Sequence, residues 1–110
     1  MLSGYQRIVV LTGAGISRSA GLPTYRGPGG LWNDESLVAL NTIEALRSRR
    51  SDVCEMFWKF RGAIGKVEPT PAHRALAEFA RVLEPPATMQ IITQNIDGLH
   101  QRAGSFHVCE

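Results

Sequence analysis

Two short apolar runs, Ile8-Val9-Val10-Leu11 and Met89-Gln90-Ile91-Ile92-Thr93, interrupt an otherwise mixed chain. Both are rich in β-branched residues and too short for helices, so each predicts a strand. Between them, apolar residues recur at intervals of three and four. Leu37, Leu40, Ile43, Ala45 and Leu46 predict helical structure over Ser36 to Arg50, either as one helix or as two with a fresh start at Thr42. Val53, Met56, Phe57, Phe60 and Ile64 mark one face of a helix over Val53 to Ile64, with Asp52 as its N-cap and Gly65 as its stop. Glu68-Pro69-Thr70-Pro71 predicts a stiff turn into a helix over Ala72 to Leu83, capped by Thr70 and opened by Pro71. That helix turns Leu76, Phe79, Ala80 and Leu83 inward, and Pro85-Pro86 ends it. Leu99 to Ala103 predicts a short helix closed by Gly104, and Phe106-His107-Val108-Cys109 begins a third strand. Met1 to Arg7 is a polar lead-in. Strands alternating with helical crossovers predict an α/β fold, a parallel sheet with helices on both faces.

Composition narrows the class without changing this picture. A chain of 110 residues is one domain or a piece of one, and 44% hydrophobic with 20% charged residues fits a globular protein. A formal net charge of +2 gives no argument for direct nucleic-acid binding, and Arg47, Arg49 and Arg50 read as a solvated helix end. No apolar run approaches a membrane span, and the N-terminus lacks the pattern of a signal peptide. Cys54 and Cys109 lie far apart and outside any C-x-x-C pair, so neither a zinc site nor a disulfide framework is predicted. The expected compartment is the cytoplasm.

The chemistry is concentrated after the two strands. Gly13-Ala14-Gly15 follows the first and leads into Ile16-Ser17-Arg18-Ser19-Ala20, which reads as a short helix. A strand that turns through glycines into a helix leaves backbone N–H groups converging on one spot, a site suited to a phosphate or diphosphate. A long loop of turn residues follows, from Gly21 through Pro23, Gly27, Pro28, Gly29 and Gly30 to the anchors Leu31-Trp32. After the second strand comes Gln94-Asn95-Ile96-Asp97-Gly98. In open parallel sheets ligands bind beyond the C-terminal strand ends. Neighbouring strands would therefore set the glycine turn against side chains suited to ribose hydroxyls or a carboxamide. The fingerprint G-x-G-x-x-G of ordinary dehydrogenases is incomplete, because Arg18 stands where the third glycine belongs, and the Walker lysine is absent.

The blocks GAGIS, GLPTYRG, GGLW, EPTPAHRALAE and TQNIDGLHQRAG, in this order and spacing, closely resemble the sirtuin family of NAD-dependent protein deacylases. Thr24 and the compact segment before EPTPAHRAL are most similar to the bacterial and mitochondrial desuccinylase-type branch. The resemblance implies a partial Rossmann-like, doubly wound sheet with a helical insertion. Residues 1–33 would hold the first strand, glycine loop and cofactor loop, 34–68 the insertion, and 69–110 the helix, strand, QNID block and start of the next strand. It implies NAD contacts from Gly13, Ala14, Gly15, Ile16 and Ser17, from the loop residues Thr24, Tyr25 and Arg26 with Trp32, and from Gln94, Asn95, Ile96 and Asp97. Asp97 would accept from the carboxamide of nicotinamide. The implied reaction moves an acyl group from a lysine side chain of a protein substrate to the ADP-ribose part of NAD, releasing nicotinamide.

Two departures qualify the resemblance. The family's general-base histidine, in an H-G pair after a strand, is expected just beyond Glu110; His73, His100 and His107 are not its equivalents. The zinc module with its paired C-x-x-C motifs is likewise expected beyond this chain, which is identified as an N-terminal part of a sirtuin, inactive by itself. The Tyr-x-x-Arg pair that reads acidic acyl groups aligns with Phe57 and Phe60, with Arg61 one place later, so an acetyl-type or other neutral acyl group is expected there. The alternatives are a non-catalytic NAD- or ADP-ribose-binding module, and a structural domain in which the glycine loop is only a turn; the QNID block argues against the latter.

Overall fold

The structure, a computed structural model, describes residues 4–110. The beginning of the polar lead-in, residues 1–3, lies outside the described residues. Three parallel strands, β1 (Arg7–Thr12), β2 (Thr88–Thr93) and β3 (Val108–Cys109), form a sheet in the order β1-β2-β3. The β1–β2 register runs from Arg7 opposite Thr88 to Thr12 opposite Thr93, so the two strands end level with one another. The third strand is shorter than the sequence pattern suggested: only Val108 and Cys109 pair, with Ile91 and Ile92.

Alternation decides what the sheet covers. Met89, Ile91 and Thr93 are buried, and their register partners Ile8, Val10 and Thr12 are partly covered on the same face. Val9, Leu11 and Ile92, on the other face, are 63%, 70% and 40% exposed. The asymmetry follows from handedness. Parallel crossovers are right-handed as a rule, and two that step in one direction, β1 to β2 to β3, are expected to favour one face. The described residues thus form the expected α/β, Rossmann-like parallel sheet, with Met89, Ile91 and Thr93 covered on one face and Val9, Leu11 and Ile92 open on the other.

The helices are α1 (Glu35–Leu40), α2 (Ile43–Ser48), α3 (Arg50–Ile64), α4 (Pro71–Val82) and α5 (Leu99–Arg102). Of the two arrangements open for Ser36 to Arg50, the chain takes the broken one, and each half is capped. Asp34 accepts from the N–H groups of Ser36 and Leu37, and Thr42 accepts from that of Ala45. Asp52 is not the cap of α3. That helix starts two residues earlier, and Asp52 sits in its first turn, ion-paired with Arg49 at 2.9 Å, where a carboxylate still opposes the positive helix end. Helix α4 begins as the sequence predicts, with Pro71 in the first turn and a reciprocal cap in which Thr70 and His73 bond each other's backbone. The segment read as a short helix is a 3-10 helix that starts earlier, at Ala14, and runs to Ala20. No helix of the described residues is long and apolar enough to cross a membrane.

The core beneath the covered face is made by Ile91, Leu99, His73, His100 and Ser17, all nearly fully buried. Two of these are histidines in edge contact, with ring centroids 4.7 Å apart at 64°. His73 Nδ1 accepts from the Thr70 N–H at 3.1 Å, which requires that nitrogen to be unprotonated. Burial pushes both imidazoles below the usual 6.5; His100 lowers His73 further, while Asp97 acts in the opposite direction on both and Glu110 does so on His100. A histidine held neutral in the fold but free to charge when unfolded stabilises the protein above about pH 6.5. That contribution is lost as pH falls from 6.5 toward the lower folded values. Urea unfolding between pH 7.5 and 5 is expected to show stability declining with acid. In His100→Gln the decline should be shallower, because one of the two protonation sites is gone.

Candidate functional site

Because β1 and β2 end level, the turns that follow them lie side by side. The glycine turn after Thr12 and the segment after Thr93 are joined by hydrogen bonds that span the chain. Gln94 N–H continues the ladder to Thr12 O at 3.1 Å. The Asn95 amide donates to Gly13 O at 3.0 Å and to Ser17 Oγ at 3.3 Å, and its backbone N–H is fixed by Thr93 Oγ1 at 3.1 Å. Ser17 Oγ donates to Asp97 Oδ2 at 2.6 Å, a short bond between buried groups, as expected for a hydroxyl facing a carboxylate. The second oxygen, Asp97 Oδ1, accepts the Leu99 N–H at 3.0 Å and holds the start of α5. Each carboxylate oxygen keeps a further lone pair.

The glycine turn is fixed from below as well. Thr12 Oγ1 bonds His100 Nε2 at 2.9 Å, and Thr70 Oγ1 donates to Ile16 O at 3.1 Å. The first bond of the 3-10 helix runs from Ile16 N–H to Gly13 O at 3.2 Å. The N–H groups of Ala14 and Gly15 precede it and have no carbonyl to bond within the helix. Gly15 is exposed and a Cβ built on it meets nothing within 4 Å, so open space lies beside the turn. A rigid turn with two N–H groups free of helix bonds and open space beside it suits a diphosphate.

The loop from Thr24 to Trp32 closes on itself. Leu31 N–H bonds Thr24 O at 2.8 Å, Trp32 N–H bonds Tyr25 O at 2.9 Å, and the Tyr25 and Trp32 rings pack with centroids 5.3 Å apart. Thr24 Oγ1 donates to Arg26 O at 2.9 Å, while the Arg26 side chain is exposed. Gly30 is essential to this closure: a Cβ there would lie 2.8 Å from Tyr25 O and 2.9 Å from the Arg26 carbonyl carbon. Gly30→Ala is expected to cost about 1–3 kcal/mol by overpacking against backbone that cannot rotate away. Chemical denaturation checks this; an unchanged midpoint would contradict it.

Two cavities open at the site. A cleft of only about 20 Å³ is bordered by Ala14, Ser17, Tyr25, Asn95, Ile96 and Asp97, among others. The second, of about 600 Å³, lies between the Tyr25–Trp32 loop and helices α1 and α3, and Phe57 and Phe60 line it. Arg61 is exposed and is not among its lining residues. Gln94 reaches toward Gly13, its Oε1 lying 3.5 Å from the position of a Cβ there. None of His73, His100 and His107 lines either cavity. Among the described residues no cluster of His, Cys, Asp and Glu is arranged to hold a metal ion, and Cys54 and Cys109 are both free and exposed. The turns and the QNID cluster are recognisable in the sequence; the Ser17–Asp97, Thr12–His100 and Thr70–Ile16 bonds are not, since their partners lie 80, 88 and 54 residues apart.

Comparison with known proteins bears on the family and the fold. The family model described as "Sir2 family" matches residues 13–110. The chain is 47% identical over 104 residues to an NAD-dependent protein deacylase of Daphnia pulex, covering 94% of this chain and 38% of that protein. It is 45% identical over 106 residues to the mitochondrial NAD-dependent protein deacylase sirtuin-5 of Danio rerio, covering 96% of this chain and 35% of that protein. Among solved structures, a mutant Sir2 homologue in complex with ADP-ribose superposes with a TM-score of 0.85 at 37% identity, over 94% of this chain and 40% of the other. The chain thus spans between about a third and two fifths of the length of these relatives.

Proposed function

This chain belongs to the Sir2 family, and from that premise we propose that it supplies the NAD-binding half of an NAD-dependent protein-lysine deacylase. The observation that carries the proposal is the buried Ser17–Asp97–Asn95 network, which locks the diphosphate turn to the QNID segment beside an open space. NAD, when bound, supplies an ADP-ribosyl group that gives up nicotinamide and takes the acyl group from the lysine nitrogen, with water balancing the products.

Each residue then has a task that its position supports. The free N–H groups of Ala14 and Gly15 bind the diphosphate, with Gly13 and Ile16 shaping the turn. Gln94 and Asn95 face the ribose. The unused lone pairs of Asp97 accept from the carboxamide, with Ile96 beside it. A cleft of about 20 Å³ has room for about one water molecule and none for a nicotinamide ring. Admission of the ring therefore requires the loop carrying Thr24, Tyr25 and Arg26 to swing, with Trp32 following its ring partner. Once closed again, Tyr25 and Trp32 exclude water, and the exposed Arg26 is placed to meet the phosphates. Such positioning and charge stabilisation are what the protein contributes to the transfer.

A second reading, an NAD- or ADP-ribose-binding module without catalysis, is favoured by one observation: no histidine of the described residues lines the site. One assay separates the two. The intact protein is incubated with an acetyl-lysine peptide and NAD, and nicotinamide and free lysine are measured. Equimolar release of both supports the deacylase; tight ADP-ribose binding without release supports the module.

A further inference from the structure

His73 and His100 line no cavity, yet both are tied to the glycine turn. Each is nearly fully buried, and each has one ring nitrogen bonded to a threonine. Their other nitrogens, His73 Nε2 and His100 Nδ1, have no hydrogen-bond partner among the described residues. Burying an unpartnered polar atom is costly, and an apolar side chain of similar size would fill the same space without that cost. Packing alone therefore does not account for two histidines here.

The bonded nitrogens do account for them. His100 Nε2 meets Thr12 Oγ1 at 2.9 Å, and Thr12 is the last residue of β1 before Gly13. His73 Nδ1 accepts the Thr70 N–H at 3.1 Å and lies 2.8 Å from Thr70 Oγ1, which donates to Ile16 O at 3.1 Å. Thr12 and Ile16 flank Gly13-Ala14-Gly15, the residues that present the proposed diphosphate donors. Each end of the turn is thus held by a threonine that a histidine holds in its turn. The two rings, one from α4 and one from α5, are themselves in edge contact with centroids 4.7 Å apart.

We propose that His73 and His100 are positioning residues for the diphosphate: through Thr70 and Thr12 the pair fixes both ends of the Gly13–Gly15 turn and so makes nucleotide affinity depend on pH. The proposal rests on the NAD-binding reading above and adds the residues that set the geometry of that site. Chemistry gives the direction. A proton on His73 Nδ1 would face the Thr70 N–H, donor against donor, and loosen the anchor on Ile16. A proton on His100 would leave a buried charged ring with its Nδ1–H unpartnered. The charges that bear on the pair are Asp97, after β2, acting on both rings, and Glu110, after β3, acting on His100. β1 and the turn before α4 face it with the neutral hydroxyls of Thr12 and Thr70. Burial, and for His73 the neighbouring His100, outweighs the carboxylates and holds both imidazoles below their usual range. The turn is therefore held at neutral pH and released as pH falls below about 6.5. Rings acting merely as buried cations near an anion would do the reverse and strengthen binding in acid.

The test is calorimetric titration of the intact protein with ADP-ribose in steps from about pH 7.5 down to about pH 5, with circular dichroism confirming the fold at each step. The adenine and diphosphate of ADP-ribose titrate below this range, so a change in affinity belongs to the protein. Affinity is expected to fall with acid. By linkage, saturating ADP-ribose should lower the pH at which the two imidazoles take up a proton, read from their ring NMR signals. Thr12→Val, of the same shape without the hydroxyl, should weaken binding about threefold to tenfold at neutral pH, and Thr12→Ser, which keeps the hydroxyl, should restore most of the loss. Affinity that is independent of pH, that rises with acid, or that is the same in Thr12→Val as in the unsubstituted protein would overturn the proposal and leave the NAD-binding reading intact. Absence of ADP-ribose binding at neutral pH would remove both. The pH series needs no variant, so it decides even where Thr12→Val does not fold.

Discussion

Gly15→Ala is expected to stabilise the fold slightly and to weaken ADP-ribose binding by at least about tenfold, two effects of opposite sign. The residue lies in the second position of the 3-10 helix, has no positive φ, and would place its Cβ where nothing stands within 4 Å. Alanine there reduces the freedom of the unfolded chain, a gain of about 0.4–1 kcal/mol where the native conformation is compatible. That open space lies beside the turn whose Ala14 and Gly15 N–H groups are proposed to hold the diphosphate. A methyl group would hold a diphosphate away from those donors, and a displaced hydrogen bond to a charged group is worth about 1.5–3 kcal/mol. Denaturation and calorimetry on the same sample separate the two effects. Lower stability with unchanged affinity would mean that the space serves packing and not a ligand.

Asp97→Asn is expected to damage both fold and function. Asp97 accepts on both oxygens, from the Ser17 hydroxyl and from the Leu99 N–H, and both donors are buried with it. Asparagine has one acceptor oxygen and two N–H donors, so one of these partners must face a donor instead. Ser17 already receives the amide of Asn95, which leaves its own proton without an acceptor if the substituted side chain turns its nitrogen that way. The cost is about 1–3 kcal/mol, the usual penalty for a buried group left unsatisfied. Beyond stability, the unused lone pairs assigned to the carboxamide are halved. NAD-dependent turnover of the intact protein should fall by about tenfold or more, and inhibition by nicotinamide should weaken. Unchanged turnover with unchanged nicotinamide inhibition would contradict the role given to this carboxylate.

What the sequence disclosed and what it hid divide along the range of the interactions. The runs Ile8–Leu11 and Met89–Thr93 and the cap Thr70-Pro71 are local patterns, and each gave the element it predicted. Asp52 failed as a cap for a local reason too: Arg49, three residues before it, supplies an ion pair that lets the helix start earlier. The placement of Gly13–Ser17 beside Gln94–Asp97 depended on which strands pair, and alternation alone does not fix strand order. Once β1 and β2 are paired in register, the juxtaposition follows. The bonds that make the site rigid were out of reach, because a serine and an aspartate 80 residues apart carry no sign of each other. The role of Gly30 was equally hidden; its loop position was plain, but only the approach of the Tyr25 and Arg26 backbone shows why no side chain fits. Phe57 and Phe60 share a helical face, yet that face borders an open cavity and leaves Phe57 half exposed, where amphipathic spacing alone suggests a core.

The central claim is that the glycine turn and the QNID segment form one nucleotide site. Amide NMR of the intact protein during an ADP-ribose titration tests it most directly. The account predicts saturable 1:1 binding with the largest shifts at Ala14, Gly15, Ser17 and Asn95, and in Gly15→Ala a midpoint at least about tenfold higher in ADP-ribose. Binding that leaves these four amides unmoved, or that persists undiminished in Gly15→Ala, would contradict it.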